Sequence, residues 1–354
     1  MKKLGKKKRI WIVSAAAVVL VAVAFFAYVF LRGGGEEILS EINIDEEHFP
    51  DQRFRAYVLI TYDKDEDGVL SGDERRKVKE CQVFGMGIKD LRGIEYFPKL
   101  RVLDCSGNEP LNLDVSKNIE LRELDCSYAE IAFLDVSHNP KLQVLNCECN
   151  ELSELDVTHN PKLLELNCGF NGLKTLNLNP NRGLVTLNCC RNDLTSLDVR
   201  GYTRLSFLNC FGTQLTDLNL DGCSKLEELD CRLNGLTSLD VTGCTKLVSL
   251  SCSNNKLTSL DVTGCTKLVS LSCSNNNLRS LSVAGCSELL ELDCDSNELT
   301  DLNFNGLDKL VSLNCESNWL TSLDLSMCRR LAQLYYDEER VTEQNIRRYV
   351  RSKK

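Results

Sequence analysis

From Leu100 onward, apolar and polar positions recur with a fixed period. Leucine stands at 103, 124, 145, 166, 187, 208, 229, 250, 271, 292, 313 and 334, always 21 residues apart and with no insertion. Two residues after each of the first eleven comes a cysteine, from Cys105 to Cys315. Three further on comes asparagine, except at Ala129 and Thr213. The unit that starts at Leu142, LQVLNCECNELSELDVTHNPK, holds two alternating stretches, LxxLxC and LxxLxV, each turning its apolar residues to one side. A unit this short cannot bury its apolar face alone, so neighbours must stack and share a core. Both stretches are predicted as short parallel strands, and eleven units at about 4.8 Å per strand make a rod roughly 50 Å long.

The pattern LxxLxCxxNxL resembles the strand segment of leucine-rich repeats, and the 21-residue unit with its LDV half is similar to the short bacterial variety called IRREKO. The likeness runs from Leu100 to about Leu334. It implies a leucine-rich-repeat solenoid over residues 91–334, a right-handed superhelix of mostly short parallel β-strands with few helices. It also implies a bacterial cell-surface protein that binds through its solenoid, and says nothing of the ligand.

The columns inside the repeat have plain readings. Stacked strands hold neighbouring cysteine Cβ atoms about 4.8 Å apart and parallel, whereas a disulfide needs about 3.8 Å and converging vectors, so the column is read as small buried hydrophobes. A second column, Cys223, Cys244, Cys265, Cys286 and Cys328, replaces Asn118, Asn139, Asn160 and Asn181 of earlier units, without the spacing of a zinc site. The asparagines from Asn108 on are expected to satisfy backbone groups in the turn leaving each strand. Asp114, Asp135, Asp156, Asp198, Asp240, Asp261 and Asp324 are read as turn residues in preference to a calcium ladder. The units Leu236–Lys256 and Leu257–Asn277 differ only at their last residue and show mostly serine outward, as at Ser249, Ser251, Ser270 and Ser272.

Both flanks read as caps. Residues 335–354 are predicted to end in a short closing helix, with Thr342 as N-cap and Ile346 and Val350 on one face. Residues 41–90 form a small helical cap containing DKDEDGVLSGDE, Asp63 to Glu74. Asp63, Asp65 and Asp67 take positions 1, 3 and 5, Gly68 position 6, and Glu74 position 12. Val69 would offer its carbonyl and Ser71 a water or hydroxyl contact, so the loop resembles an EF-hand and predicts structural Ca2+. The alternative is an acidic turn without metal. No second loop follows, and the exit helix is expected to run from Gly72 to about Glu80. Phe54, Tyr57, Val58 and Tyr62 line one face of the entering helix.

Residues 1–9 form a basic tail, and Ile10–Leu31 is an uncharged run of 22 residues. At about 1.5 Å per helical residue it spans about 33 Å, enough for a bilayer core of roughly 30 Å. It is read as an uncleaved single-pass anchor rather than a signal peptide, although Ala22-Val23-Ala24 has the small residues of a cleavage site. The basic tail then stays in the cytoplasm, residues 32–40 form a linker, and the C-terminal domain lies outside the cell. Seven of the 42 basic residues and none of the 51 acidic ones lie in residues 1–32, so the remainder carries 35 against 51, a net charge of −16. Nucleic acid is therefore not expected as a partner.

The three histidines, His48, His138 and His159, build no catalytic set, and no phosphate loop or nucleophile motif occurs, so an enzyme is not expected. The expected function is binding of a protein or glycan. The alternative is a structural spacer without a ligand. Phe170, Cys190, Phe207 and Phe211, at outward strand positions of neighbouring units, are the candidate contact residues.

Overall fold

The computed structural model describes residues 39–108 and 113–348. The chain divides into two compact units, Met1–Glu41 and Ile42–Lys354, and the elements below belong to the second. The predicted anchor, Ile10–Leu31, lies outside the described residues. Among the described residues no helix is long and apolar enough to cross a membrane.

Strict alternation over three residues gives each repeat one short strand. Thirteen of these pair in parallel, from β3 (Glu80–Gln82) to the strand Gln333–Tyr335, in sequence order. The register advances by one unit at each step, so that Leu103 pairs with Leu124 and Leu124 with Leu145. In each repeat strand up to Ser312–Asn314 the central leucine is buried while its neighbours reach solvent on the other face. The leucines, the cysteine column and the valines of the second stretch pack into one continuous apolar cluster.

The asparagine column holds the turns as expected. Asn150 Nδ2 donates to the carbonyls of Cys126, at 2.9 Å, and Cys147, at 3.0 Å, while its Oδ1 accepts from Ile131 N at 2.9 Å. Each such side chain ties its own unit to the one before. Where Thr213 interrupts the column, its hydroxyl bonds Cys210 O and Asn234 Oδ1.

The second stretch differs from expectation. It is a strand only at Ser259–Asp261 with Ser280–Ser282 and at Leu323–Leu325, with one bridge between Asp198 and Asn219. Elsewhere among the described residues its leucine and valine are buried, but the backbone turns. Asp135 Oδ1 accepts Ser137 N and Asp156 Oδ1 accepts Thr158 N, both at 2.8 Å, a turn bond that the paired units also make, where Asp261 Oδ1 accepts Thr263 N at 3.0 Å.

The C-terminal closing helix is also corrected. Thr342 precedes a three-residue turn, Glu343–Asn345, without a side-chain cap, and Ile346–Arg348 is a strand parallel to Leu323–Leu325. Pairing satisfies an open strand edge and buries Ile346, which a helix there would not do. Val350 lies outside the described residues.

At the N-terminal end, β1 (Ile42–Asn43) pairs antiparallel with β2 (Val69–Leu70). Between them α1 (Gln52–Thr61) is capped by Asp51, whose carboxylate accepts from Arg53 N and Phe54 N. After β2 comes α2 (Gly72–Lys77), opened by a reciprocal capping box between Ser71 and Glu74. It stops short of the expected Glu80 because Glu80–Gln82 is the first rung of the large sheet. Phe49, Phe54 and Phe97 seal this end of the core. Gly93, at φ +107°, is required there, since a Cβ would run into the Phe49 ring.

Candidate functional site

Two places carry chemistry beyond packing, and the first is the acidic loop between α1 and α2. Asp63, buried at the end of the entering helix, accepts Gly68 N on Oδ2 at 2.9 Å and Asp67 N on Oδ1 at 3.3 Å. Gly68 at φ +80° lets the chain turn back. The carboxylates of Asp63, Asp65 and Asp67 offer oxygens within 4.8 Å of one another. Desolvation, then the charges of Asp67, Glu74 and Asp63, hold Asp65 above the usual carboxylate range. Such crowding is relieved by a divalent cation, so the residues fit Ca2+.

Glu74 stands apart from that group. Its Oε1 accepts Lys64 N at 2.7 Å and its Oε2 accepts Ser71 N and Oγ at 2.9 and 2.8 Å. Burial raises its pKa, but these bonds outweigh burial and leave the carboxyl below its ordinary value. Glu74 therefore joins the two ends of the loop. Val69 lies in β2, next to Gly68, whose carbonyl accepts Ile44 N at 3.0 Å, so β1 occupies the side where a second loop would pair.

The second place is the edge where the chain leaves the large sheet. Gly107, Tyr128, Cys149, Phe170, Arg191, Gly212 and Leu233 follow one another at one residue per unit, all with φ between 51° and 63°. Glycine and asparagine adopt this left-handed backbone readily, and the column continues with Asn254 and Asn275. For Tyr128, Phe170, Arg191 and Leu233 the same backbone costs about 1 kcal/mol each. Their side chains are nonetheless exposed, Tyr128 by 62% and Phe170 by 48%. This strained backbone therefore holds large side chains in water.

The four contact residues expected from sequence are distributed differently. Phe170 stands on this edge. Phe207 lies in its strand, half-buried, and Phe211 is half-buried with the guanidinium groups of Arg191 and Arg232 at 4.5 and 5.3 Å from its ring centre. Cys190 is not presented to a partner: only 4% exposed, its Sγ fills the space beside Gly169, where a Cβ would come within 3.0 Å. Sequence reasoning missed Tyr128 and Arg191. Their signal was the glycine and asparagine at other positions of the same column, which mark it as left-handed.

All nineteen cysteines are free, and only Cys149 is not buried. Burial pushes the column thiols up, to about 12 at Cys168 and Cys210, and they stay protonated at neutral pH. In the second column burial pushes Cys223 and Cys286 up to about 11, and their thiols donate to Val199 O and Val262 O, each at 3.3 Å. Tyr202 fills one place of that column and its hydroxyl donates to Leu178 O.

No family model matches the sequence, and no curated protein is similar to it. Solved structures are similar. The functional domain of InlJ from Listeria monocytogenes, which includes a cysteine ladder, is 31% identical over 85% of this chain and 72% of that one, with a TM-score of 0.77. InlF, an internalin from Listeria monocytogenes, is 19% identical over 89% of this chain and 99% of that one, with a TM-score of 0.59. Toll, from a Drosophila Toll–Spatzle complex, is 21% identical over 75% of this chain and 45% of that one, with a TM-score of 0.58. The last two show likeness of fold alone.

Proposed function

Because the chain belongs to the leucine-rich-repeat family, as the InlJ domain does, we propose that it is a protein-interaction solenoid held at the cell surface. One observation carries the reading: exposed Tyr128 and Phe170 sit on left-handed backbone that glycine or asparagine would occupy without strain. Exposed aromatics on a costly backbone are expected where they meet a partner. A double variant, Tyr128→Ser with Phe170→Ser, should weaken partner capture by about 2 kcal/mol or more and leave the melting temperature unchanged or higher. Unchanged capture would reject this edge as the contact.

Two further parts complete the proposal. Calcium bound by Asp63, Asp65, Asp67 and the Val69 carbonyl, with Ser71 beside it and Glu74 joining once it leaves its bonds to Lys64 N and Ser71, would fasten α1 to α2 and stiffen the first rung of the sheet. Ile10–Leu31 would anchor the chain, so protease added to intact cells should remove the repeats and leave the first residues protected; the repeats free in the medium would reject the anchor. A spacer without a ligand is the second reading, favoured by the serine face at Ser249, Ser251, Ser270 and Ser272.

A further inference from the structure

Two arginines of the repeats carry their own counter-ion. Arg200 pairs with Asp198 at 2.9 Å and Arg232 with Asp230 at 2.6 Å, in each case an aspartate two residues earlier. Two residues before Arg191 stands Cys189, which is buried and protonated. Asp193, two residues after, is engaged by Gln214 Nε2 at 2.9 Å. Among the described residues Arg191 has no carboxylate partner. Its side chain is nonetheless held. A Cβ at Gly212 would meet its Cδ at 3.1 Å and its Nε at 3.3 Å, so the aliphatic stem lies flat where the next unit has no side chain, and its guanidinium faces the Phe211 ring. An exposed guanidinium fixed in place, with Phe170 in the preceding unit, is a preorganised receptor for a carboxylate beside an apolar side chain.

We propose that Arg191, lying over Gly212 and against Phe211, is the anchor of a peptide-docking edge that takes a protein segment with one carboxylate next to an aromatic or aliphatic residue. The inference rests on the protein-binding reading above and names the partner's chemistry. The charge balance narrows it. Residues 33–354 carry a net charge of −16, so a polyacidic segment is repelled and a single carboxylate, matched to the one guanidinium that is held over Gly212 and against Phe211, is favoured. Arginine suits this role better than lysine because its planar group stacks and forks at once.

The test uses the full-length chain. Random dodecapeptides displayed on phage are selected on it, and each recovered peptide is synthesised with its acidic residue intact or as the amide. Both forms are titrated against the parent chain, Arg191→Gln and Arg191→Lys. Binding should fall about tenfold in Arg191→Gln and about tenfold for the amide peptide, with no further loss when the two are combined, and Arg191→Lys should restore only part. Melting temperatures of the variants should not fall, because the residue is exposed. Peptides that bind Arg191→Gln as tightly as the parent overturn the inference while leaving the binding reading intact. Recovery of no peptide counts against both. Arg191-dependent capture of acidic glycans without peptide capture assigns the site to another class of ligand and also overturns it.

Discussion

Replacing Asn160 with cysteine should leave the protein as stable or more so, although Asn160 is completely buried and twice hydrogen-bonded. Its Nδ2 donates to Val136 O at 2.9 Å and to Asn139 O at 3.0 Å, but its Oδ1, like those of Asn118, Asn139 and Asn181, is buried without a donor. A buried acceptor left unpaired costs about 1–3 kcal/mol, while one neutral hydrogen bond contributes about 1 kcal/mol net. A cysteine keeps one donor, as Cys223 does toward Val199 O, and brings no orphan acceptor. The expected change is therefore between zero and about 2 kcal/mol of added stability. The control is Asn171→Cys in the first column. There Nδ2 donates to Cys147 O and Cys168 O at 3.0 and 3.2 Å and Oδ1 accepts Leu152 N at 2.9 Å, so the substitution strands a backbone N–H and should cost about 2–4 kcal/mol. Urea denaturation followed by circular dichroism, in reducing buffer, reads both. Equal losses in the two variants would refute the argument that the second column changes from asparagine to cysteine because only the donor is needed.

Millimolar calcium should raise the melting temperature of the parent chain but not of Asp63→Ala with Glu74→Ala; at a hundred times the Kd the gain is about 2.7 kcal/mol, and no response to chelator would reject the site. Under native conditions a maleimide should label one cysteine, Cys149, and after unfolding all nineteen, with mass spectrometry locating the first adduct. Burial, helped by Asp295, pushes Asp293 up to about 6. Its folded form therefore holds a proton that the unfolded chain releases near pH 4, and its contribution to stability falls as pH rises from about 4 to about 6. Asp293→Asn should gain on the parent across that interval and keep a constant lead above it; a flat difference in melting temperature would contradict the assignment.

The parts of the fold legible in the sequence were those where periodicity and burial agree. LxxLxC buries alternate residues and leaves one register possible, so the spacing alone puts Leu103, Leu124 and their successors in one buried column. LxxLxV has the same alternation and buries its leucine and valine, yet it pairs as a strand only at Ser259–Asp261 with Ser280–Ser282 and at Leu323–Leu325, so alternation predicted its burial and not its pairing. Ile346 and Val350 suggested a helix by their spacing of four, yet Leu323–Leu325 offered an edge that only an extended chain could satisfy. The acidic loop was legible because its spacing is local, although the capping bonds of Glu74 were not. The exposed edge was the least legible: the period aligns Tyr128, Cys149, Phe170 and Arg191, but they share no chemistry, and only the glycines and asparagines elsewhere in the column hint at its left-handed backbone.

The most direct test of a protein-binding role puts a photo-crosslinking amino acid at position 170 of the full chain on intact cells, and the same group at position 270 on the serine face. The account predicts a discrete protein adduct from position 170 that is lost in Arg191→Gln, and none from position 270. Identical adducts from both positions, or none from either, would contradict it and leave a spacer.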